Sequence, residues 1–374
     1  MHIVQMGTFP FPSFQGSQVY VNGIVQGLMQ RGHRVSLLCY GHGVGQVDPS
    51  IEIHRTPQIF GYQNMRAGPD WTKPWLDLRM VYNLIKLDPD VIHVHNYEAP
   101  FVVWMTQILS KHHRKIPVVY SAHNTMKDEL PTYFSKGWLK KGMSKIGKQL
   151  DLHVPKKMDC CVVLREESIE KMTLLGCQNV RWVSPGIDPK EFDSHECTDF
   201  MCKPEWMKGK QWIIYAGNPD QYQDLDILMD VMNALPEIGL IFISGSDSSQ
   251  WQRQRGIIQR IHSSNFQEIQ QYLRWSDMAV ITRQNCTGFP IKLLNYAACG
   301  LVTVCAQGSY LSIPSVLKVP NGDIPQTIAM VKKILANPEL REELGNEGQQ
   351  FVLKNLTWQE QAAKLEEIYL ELLD

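Results

Sequence analysis

Residues 2–39 read HIVQMGTFPFPSFQGSQVYVNGIVQGLMQRGHRVSLLC: a β-branched run, a turn-rich stretch, a helical pattern and a second β-branched run. Val21, Ile24, Val25, Leu28 and Met29 recur at the spacing of one helix face, with Ser17 placed as N-cap and Gly32 as the stop. His2 to Met6 and Arg34 to Cys39 are then strands on either side of a crossover helix, the unit from which parallel sheets with helices on both faces are built. The alternation continues with strands expected at Val91 to Val94, Pro117 to Ser121 and Cys160 to Leu164. A poorly patterned stretch from Asp188 to Lys210, with Pro189, Pro204 and Gly209, follows and marks a domain boundary. Beyond it strands are expected at 212–216, 240–244, 278–282, 302–305 and 316–319, with a helix near Lys292 to Cys299. Thr357 to Leu373 carries Trp358, Ala362, Leu365, Ile368, Tyr369 and Leu372 at helical spacing. The chain of 374 residues exceeds the roughly 250 to 300 that one core holds. The prediction is an α/β protein of two Rossmann-like domains, 1–190 and 205–356, with a terminal helix over 357–374.

Composition narrows the function classes. With 37 basic and 38 acidic residues the formal charge is -1, so no global field gathers nucleic acid. Nine cysteines form no Cys-x-x-Cys pair, and neither a zinc site nor a disulfide framework is expected. Residues 1–7 have no basic leader followed by an apolar stretch, and no 18-residue apolar run occurs elsewhere; the expectation is a cytoplasmic protein without a membrane span.

In open α/β sheets ligands collect at the carboxyl ends of strands. The first exit, Thr8 to Ser17, delivers Gly16 onto a helix N-terminus, where free N–H groups favour a phosphate, although a plain strand-to-helix turn explains it equally. His95-Asn96 and His123-Asn124 follow two other buried strands. A histidine there suits a sugar hydroxyl or a developing charge, and a satisfied structural histidine is the other reading. Gly217-Asn218-Pro219 is a glycine turn after a strand. Most informative is Thr287-Gly288-Phe289-Pro290-Ile291-Lys292-Leu293-Leu294-Asn295-Tyr296-Ala297-Ala298-Cys299-Gly300. Lys292 sits in the first turn of the helix, where the dipole disfavours a cation unless an anion binds, which points to a diphosphate; Asn295, one turn on, suits a ribose diol.

In this order the segments resemble the family 4 glycosyltransferases. They are Gly16-Ser17, Gly32-His-Arg-Val35, Asp90-Val-Ile-His-Val-His95, Val119-Tyr-Ser-Ala-His123-Asn124, Val183-Ser-Pro-Gly-Ile-Asp188, Tyr215-Ala-Gly217-Asn218 and Gly288 to Gly300. The resemblance implies the GT-B fold, two parallel sheets facing a central cleft, with a terminal helix that returns to the first domain. It implies retaining transfer of a sugar from a nucleotide-diphosphate donor to a glycan or lipid-linked acceptor, in glycan, glycolipid or cell-envelope polysaccharide synthesis, with no metal required. His123 and Lys292 take the catalytic roles. Gly16, Ser17, Gly217, Asn218, Arg283, Thr287, Gly288, Phe289, Pro290 and Asn295 hold the donor, and Phe11, Phe14, His95 and Asn96 face the acceptor. The chain departs from the family pattern at Asn218 and Gln223, where an arginine and a lysine commonly stand, and at Thr287 and Asn295, where two glutamates do. A variant branch carries Pro-x-Lys-x-x-Glu-Tyr, matched by Pro290-Ile-Lys292-Leu-Leu-Asn295-Tyr296 apart from the carboxamide. Lys292, with Arg283, then supplies the charge that Asn218 and Gln223 lack. Epimerisation or phosphorolysis on the same scaffold, and a scaffold that binds without catalysing, are the alternatives.

Residues 134–150 interleave five lysines with Trp138, Leu139, Met143, Ile146 and Leu150. This pattern fits peripheral contact with an anionic membrane on its inner face, and equally an amphipathic helix with a solvated lysine side.

Overall fold

A computed structural model describes residues 1–13, 15–58, 70–192, 203–252, 254–286 and 288–374. The chain divides into two compact units: Met1–Gly186 with Thr287–Phe289 and Trp358–Asp374, and Ile187–Cys286 with Pro290–Thr357.

The first unit runs β1 (His2–Pro10), α1 (Gly16–Gln30), β2 (Arg34–Tyr40), β3 (Glu52–Arg55), α2 (Lys73–Ile85), β4 (Val91–His95), α3 (Ala99–Leu109), β5 (Val118–Ala122), α4 (Met126–Glu129), α5 (Gly137–His153), β6 (Cys160–Val163), α6 (Ser168–Leu174) and β7 (Val180–Trp182). Its strands are parallel in the order β3-β2-β1-β4-β5-β6-β7. The second unit contains β8 (Trp212–Ala216), α7 (Leu225–Asn233), β9 (Gly239–Ser244), β10 (Ile258–His262), α8 (Phe266–Trp275), β11 (Met278–Ile281), α9 (Lys292–Ala298), β12 (Thr303–Ala306), β13 (Val316–Val319), α10 (Ile324–Leu335) and α11 (Pro338–Asn355). Its sheet is also parallel, in the order β10-β9-β8-β11-β12-β13. The last helix, α12 (Trp358–Leu373), packs within the first unit. Both units are the α/β structures that the alternating pattern predicts.

Winding reverses between β1 and β4 in one sheet and between β8 and β11 in the other. Connections leave those strand pairs in opposite directions, and in open α/β sheets the carboxyl ends of such a pair are where a ligand binds.

Strand residues in the first unit divide by alternation between two buried layers. Ile3, Val35, Val119 and Cys160 pack with α1 and α12, whereas Val4, Ile92, Val94 and Cys161 pack with α2 and α3. The absence of a side chain at Gly23 seats α12, since a Cβ there would lie 2.2 Å from the Trp358 ring.

Some expectations need correction. Strands β3, β7 and β10 were not anticipated, because Glu-Ile-His-Arg, Val-Arg-Trp and Ile-Gln-Arg-Ile-His lie at sheet edges and lack a continuous apolar run. β1 extends through Pro10, into the stretch read as a loop, and shifts register between Met6 and Pro10. Ser17 is not the N-cap. The helix begins two residues earlier, Gln15 occupies the cap without a side-chain bond, and the Ser17 hydroxyl turns to Gln18 Oε1 at 2.8 Å.

Candidate functional site

In the second unit, β8 ends at Ala216 and turns at Gly217, whose φ is 155°. Lys292 is the first residue of α9. Its Nζ donates to the Tyr215 hydroxyl at 3.1 Å and to Gln223 Oε1 at 3.2 Å. A Cβ added to Gly217 would stand 2.7 Å from the same nitrogen. Tyr296, one turn along α9, ties the helix to the end of β8, donating to the Ala216 carbonyl at 3.0 Å while its oxygen accepts the Ala216 N–H at 2.8 Å. Leu293 and Leu294 are buried, and Lys292 and Asn295 share the half-open side.

Arg283, just past β11, stacks over the Tyr222 ring at 4.9 Å. Its loop is pinned from α7: Asp224 Oδ2 accepts the Gln284 N–H at 2.7 Å, and the Asp224 carbonyl accepts the Thr282 hydroxyl at 2.9 Å. Two cations therefore flank the Gly217 turn at the reversal point of this sheet. Among the described residues Lys292 makes no ion pair with a carboxylate; its partners are neutral oxygens. Burial, followed by the neighbouring positive charge of Arg283, lowers its pKa to about 7. Such a cation is stabilised by an incoming anion. Asn218 contributes its carbonyl, which accepts from the Tyr215 hydroxyl at 2.8 Å, and this bond holds the tyrosine under Lys292.

In the first unit, the period of two puts His93 and His95 on one face of β4, their rings stacked at 4.5 Å. His95 Nε2 donates to Gln5 Oε1 at 2.7 Å, which leaves His95 Nδ1 to accept from His123 Nε2 at 3.1 Å. The Gln5 amide nitrogen donates to the Tyr369 hydroxyl at 3.1 Å. That hydroxyl donates to His93 Nδ1 at 2.6 Å, and His93 Nε2 donates to Ser121 Oγ at 2.8 Å. Burial lowers His123 to about 4 and His93 to about 3, and holds His95 well below the ordinary range. His123 is thus a neutral imidazole protonated on Nε2, with Nδ1 left as an acceptor.

His123 lines a cavity of about 240 Å³ that also receives Ser17, Asn96, Glu98, Phe101, Glu129 and Tyr133. Asn96 holds a left-handed backbone, φ 71°, just past β4, a conformation asparagine tolerates better than most residues. Glu98 is fixed by Lys73 Nζ at 2.7 Å and by Thr8 Oγ1 at 3.3 Å. Glu129 is fixed by the Tyr133 hydroxyl at 2.6 Å and by Asn124 Nδ2 at 3.0 Å. The cavity presents oriented acceptors to a polyhydroxylated ligand. Gly16 and Ser17, the first residues of α1, carry N–H groups that have no carbonyl of a preceding turn to bond.

Not every expected residue reaches a site. Phe11 is buried in the core with α1 and α12, and His95 is fully buried within the histidine network, so neither side chain offers surface to an acceptor. Pro290 belongs to the second unit, whereas Gly288 and Phe289 group with the first, where Phe289 packs against the core. Phe14 and Thr287 lie outside the described residues. Sequence reading missed Gln5, Tyr215, Glu98 and Glu129. Only Gln5 carried a signal, being a polar residue inside an apolar strand run. Among the described residues, no group of three or more His, Cys, Asp or Glu side chains is arranged to hold a metal ion.

Residues 14–191 match the family described as Glycosyltransferase Family 4, and residues 210–337 match Glycosyl transferases group 1. No curated protein matches the sequence significantly. Among solved structures, sucrose-phosphate synthase from Thermosynechococcus elongatus superposes with a TM-score of 0.77 at 15% identity, covering 100% of this chain and 99% of that one. Anabaena HepE in complex with UDP and glucose gives 0.72 at 11% identity, covering 99% and 100%. Trehalose 6-phosphate synthase from Burkholderia multivorans gives 0.71 at 12%, covering 99% and 96%. These likenesses establish the two-domain GT-B fold. With two family matches in sequence order, one on each unit, the chain is a glycosyltransferase and belongs to glycosyltransferase family 4.

Proposed function

We propose that the protein moves a sugar, with retention, from a nucleotide-diphosphate sugar to an acceptor hydroxyl on a glycan or lipid-linked glycan, in glycolipid or cell-envelope polysaccharide synthesis. The observation that carries this reading is Lys292, a crowded cation whose hydrogen bonds, among the described residues, go to neutral oxygens beside the Gly217 turn. A diphosphate leaving group gains negative charge as the glycosidic bond breaks, and Lys292 and Arg283 stabilise that charge without metal. Asn295 holds the ribose. His123 accepts a hydrogen bond from a hydroxyl of the donor sugar, and the N–H groups of Gly16 and Ser17 assist at phosphate. The incoming hydroxyl passes its proton to the leaving phosphate, so no separate base is needed. Asn96, Glu98 and Glu129 bind the acceptor. The enzyme works on the cytoplasmic side of a membrane, with the exposed lysines of α5 toward the lipid surface.

HepE was solved with UDP and with UDP-glucose, which makes these the first probes. Calorimetric titration with UDP, GDP and ADP, followed by slow hydrolysis of the matching nucleotide sugars in EDTA, tests the proposal. Binding of one nucleoside diphosphate with release of its sugar supports it; no binding at millimolar concentration overturns it.

A further inference from the structure

α2 and α3 cover the same face of the first sheet, and their inner sides fill one core layer. Their outer sides are also apolar. Trp75, Leu78, Tyr82 and Ile85 follow one another at three- and four-residue steps on α2, and all are exposed, as is Trp71 just before the helix at 73%. On α3, Phe101, Trp104, Met105, Ile108 and Leu109 repeat the pattern, with Trp104 at 57%. A helix apolar on every side is ordinarily buried all round, but among the described residues α3 is covered on one side only. Two adjacent helices carrying such stripes form one broad apolar face, beyond the scattered exposure normal for a soluble protein.

The charges beside it indicate the partner. Arg79 lies beside the α2 stripe, Lys86 follows α2 with its ammonium 3.9 Å from the Tyr82 ring, and Lys111, Arg114 and Lys115 follow α3; all are exposed. Nearby acids are already engaged: Asp88 holds His112 at 2.6 Å and Asp90 accepts the His2 N–H at 2.7 Å. An apolar, aromatic-rich face with a basic margin matches the interface of an anionic bilayer, where rings sit at headgroup depth and ammonium groups meet phosphate. Among the described residues no helix is long and apolar enough to cross a membrane, so contact would be in the plane. Phe101 belongs to both the stripe and the cavity lining, so the face leads to the cavity.

We propose that the outer faces of α2 and α3 dock the protein on an anionic lipid bilayer. Docking does not depend on the transfer reaction, and its test requires no activity. Flotation of the full chain with phosphatidylcholine vesicles, with and without phosphatidylglycerol, should show binding only where the anionic lipid is present. The double variant Trp75→Glu, Trp104→Glu should reduce binding about tenfold or more, while a Lys140→Glu, Lys145→Glu variant on α5 has the smaller effect. These side chains are exposed, and unchanged thermal unfolding verifies the fold. The proposal is overturned by absence of vesicle binding, by equal binding of the α2–α3 variant and the native chain, or by a soluble dimer that this variant dissociates, which would make a second copy the partner.

Discussion

Lys292 Nζ lies 3.1 Å from the Tyr215 hydroxyl and 4.5 Å from the centre of the same ring. One tyrosine therefore supplies both the acceptor and the π face that hold the ammonium in place. Neither compensates desolvation as a carboxylate would, and the pKa falls to about 7. An anion binds the protonated form and raises that pKa. Above about pH 7 the free enzyme has lost the proton, and affinity for a nucleoside diphosphate should fall by up to tenfold per pH unit. Titrations at pH 6.5, 7.5 and 8.5 in buffers of different ionisation heat should show weakening binding and proton uptake. Constant affinity and zero proton exchange would refute the role of Lys292.

Lys292→Ala separates binding from stability. Loss of a charge-assisted contact of about 1.5 to 3 kcal/mol should weaken diphosphate binding by an order of magnitude or more. The empty protein should keep or gain stability near neutral pH, because a desolvated cation without a carboxylate has been removed. A melting point several degrees lower with binding intact would mean that the lysine is structural.

Gly217→Ala tests the same point from the backbone. The added Cβ would meet Lys292 Nζ at 2.7 Å, the far end of a flexible side chain that can swing aside. With φ at 155°, a region almost confined to glycine, the alanine also strains the turn and should lower stability by about 1–3 kcal/mol, while diphosphate binding by the folded protein should weaken as the ammonium is displaced. Calorimetry beside a thermal melt distinguishes the two.

How much of this the sequence discloses depends on the range of the signal. The buried parallel strands are continuous apolar runs, and Cys160-Cys161-Val-Val163 shows why: neighbours face opposite covered sides. Edge strands such as Glu52–Arg55 carry no such run. Lys292 stood out because a cation in the first turn opposes the helix dipole. Its partner Tyr215 did not, since an aromatic inside a strand run reads as core, and core is most of what it is. The buried fate of Phe11 was hidden for the opposite reason: a proline-rich exit reads as loop, whereas β1 continues through it to Pro10. The outer stripes of α2 and α3 are invisible to periodicity alone, which counts apolar faces and not what covers them.

Acid should loosen the first unit. His93 and His123 have pKa values lowered to about 3 and about 4, against an ordinary value near 6.5. Between those limits the unfolded chain binds more protons than the folded one, so stability falls as pH drops from about 6.5 toward 4, by on the order of a few kcal/mol. Denaturant midpoints at pH 7, 6 and 5 should decline steadily, and the decline should shrink in His123→Gln.

Gln5 sets which nitrogen His123 offers. Its Oε1 requires a proton on His95 Nε2, so His95 Nδ1 must accept, and His123 must carry its proton on Nε2. Gln5→Leu removes the acceptor, leaves buried donors unpaired at about 1–3 kcal/mol, and frees both rings to change tautomer. Nitrogen NMR of the native protein should show His123 protonated on Nε2 alone, and the variant should show a mixture. If Nδ1 of His123 takes the hydrogen bond from the sugar, kcat should fall about tenfold to a hundredfold while nucleoside diphosphate binding stays unchanged, since Lys292 and Arg283 are untouched. A merely structural role would lower the melting point and leave both the tautomer signal and the kcat of the folded fraction as they are.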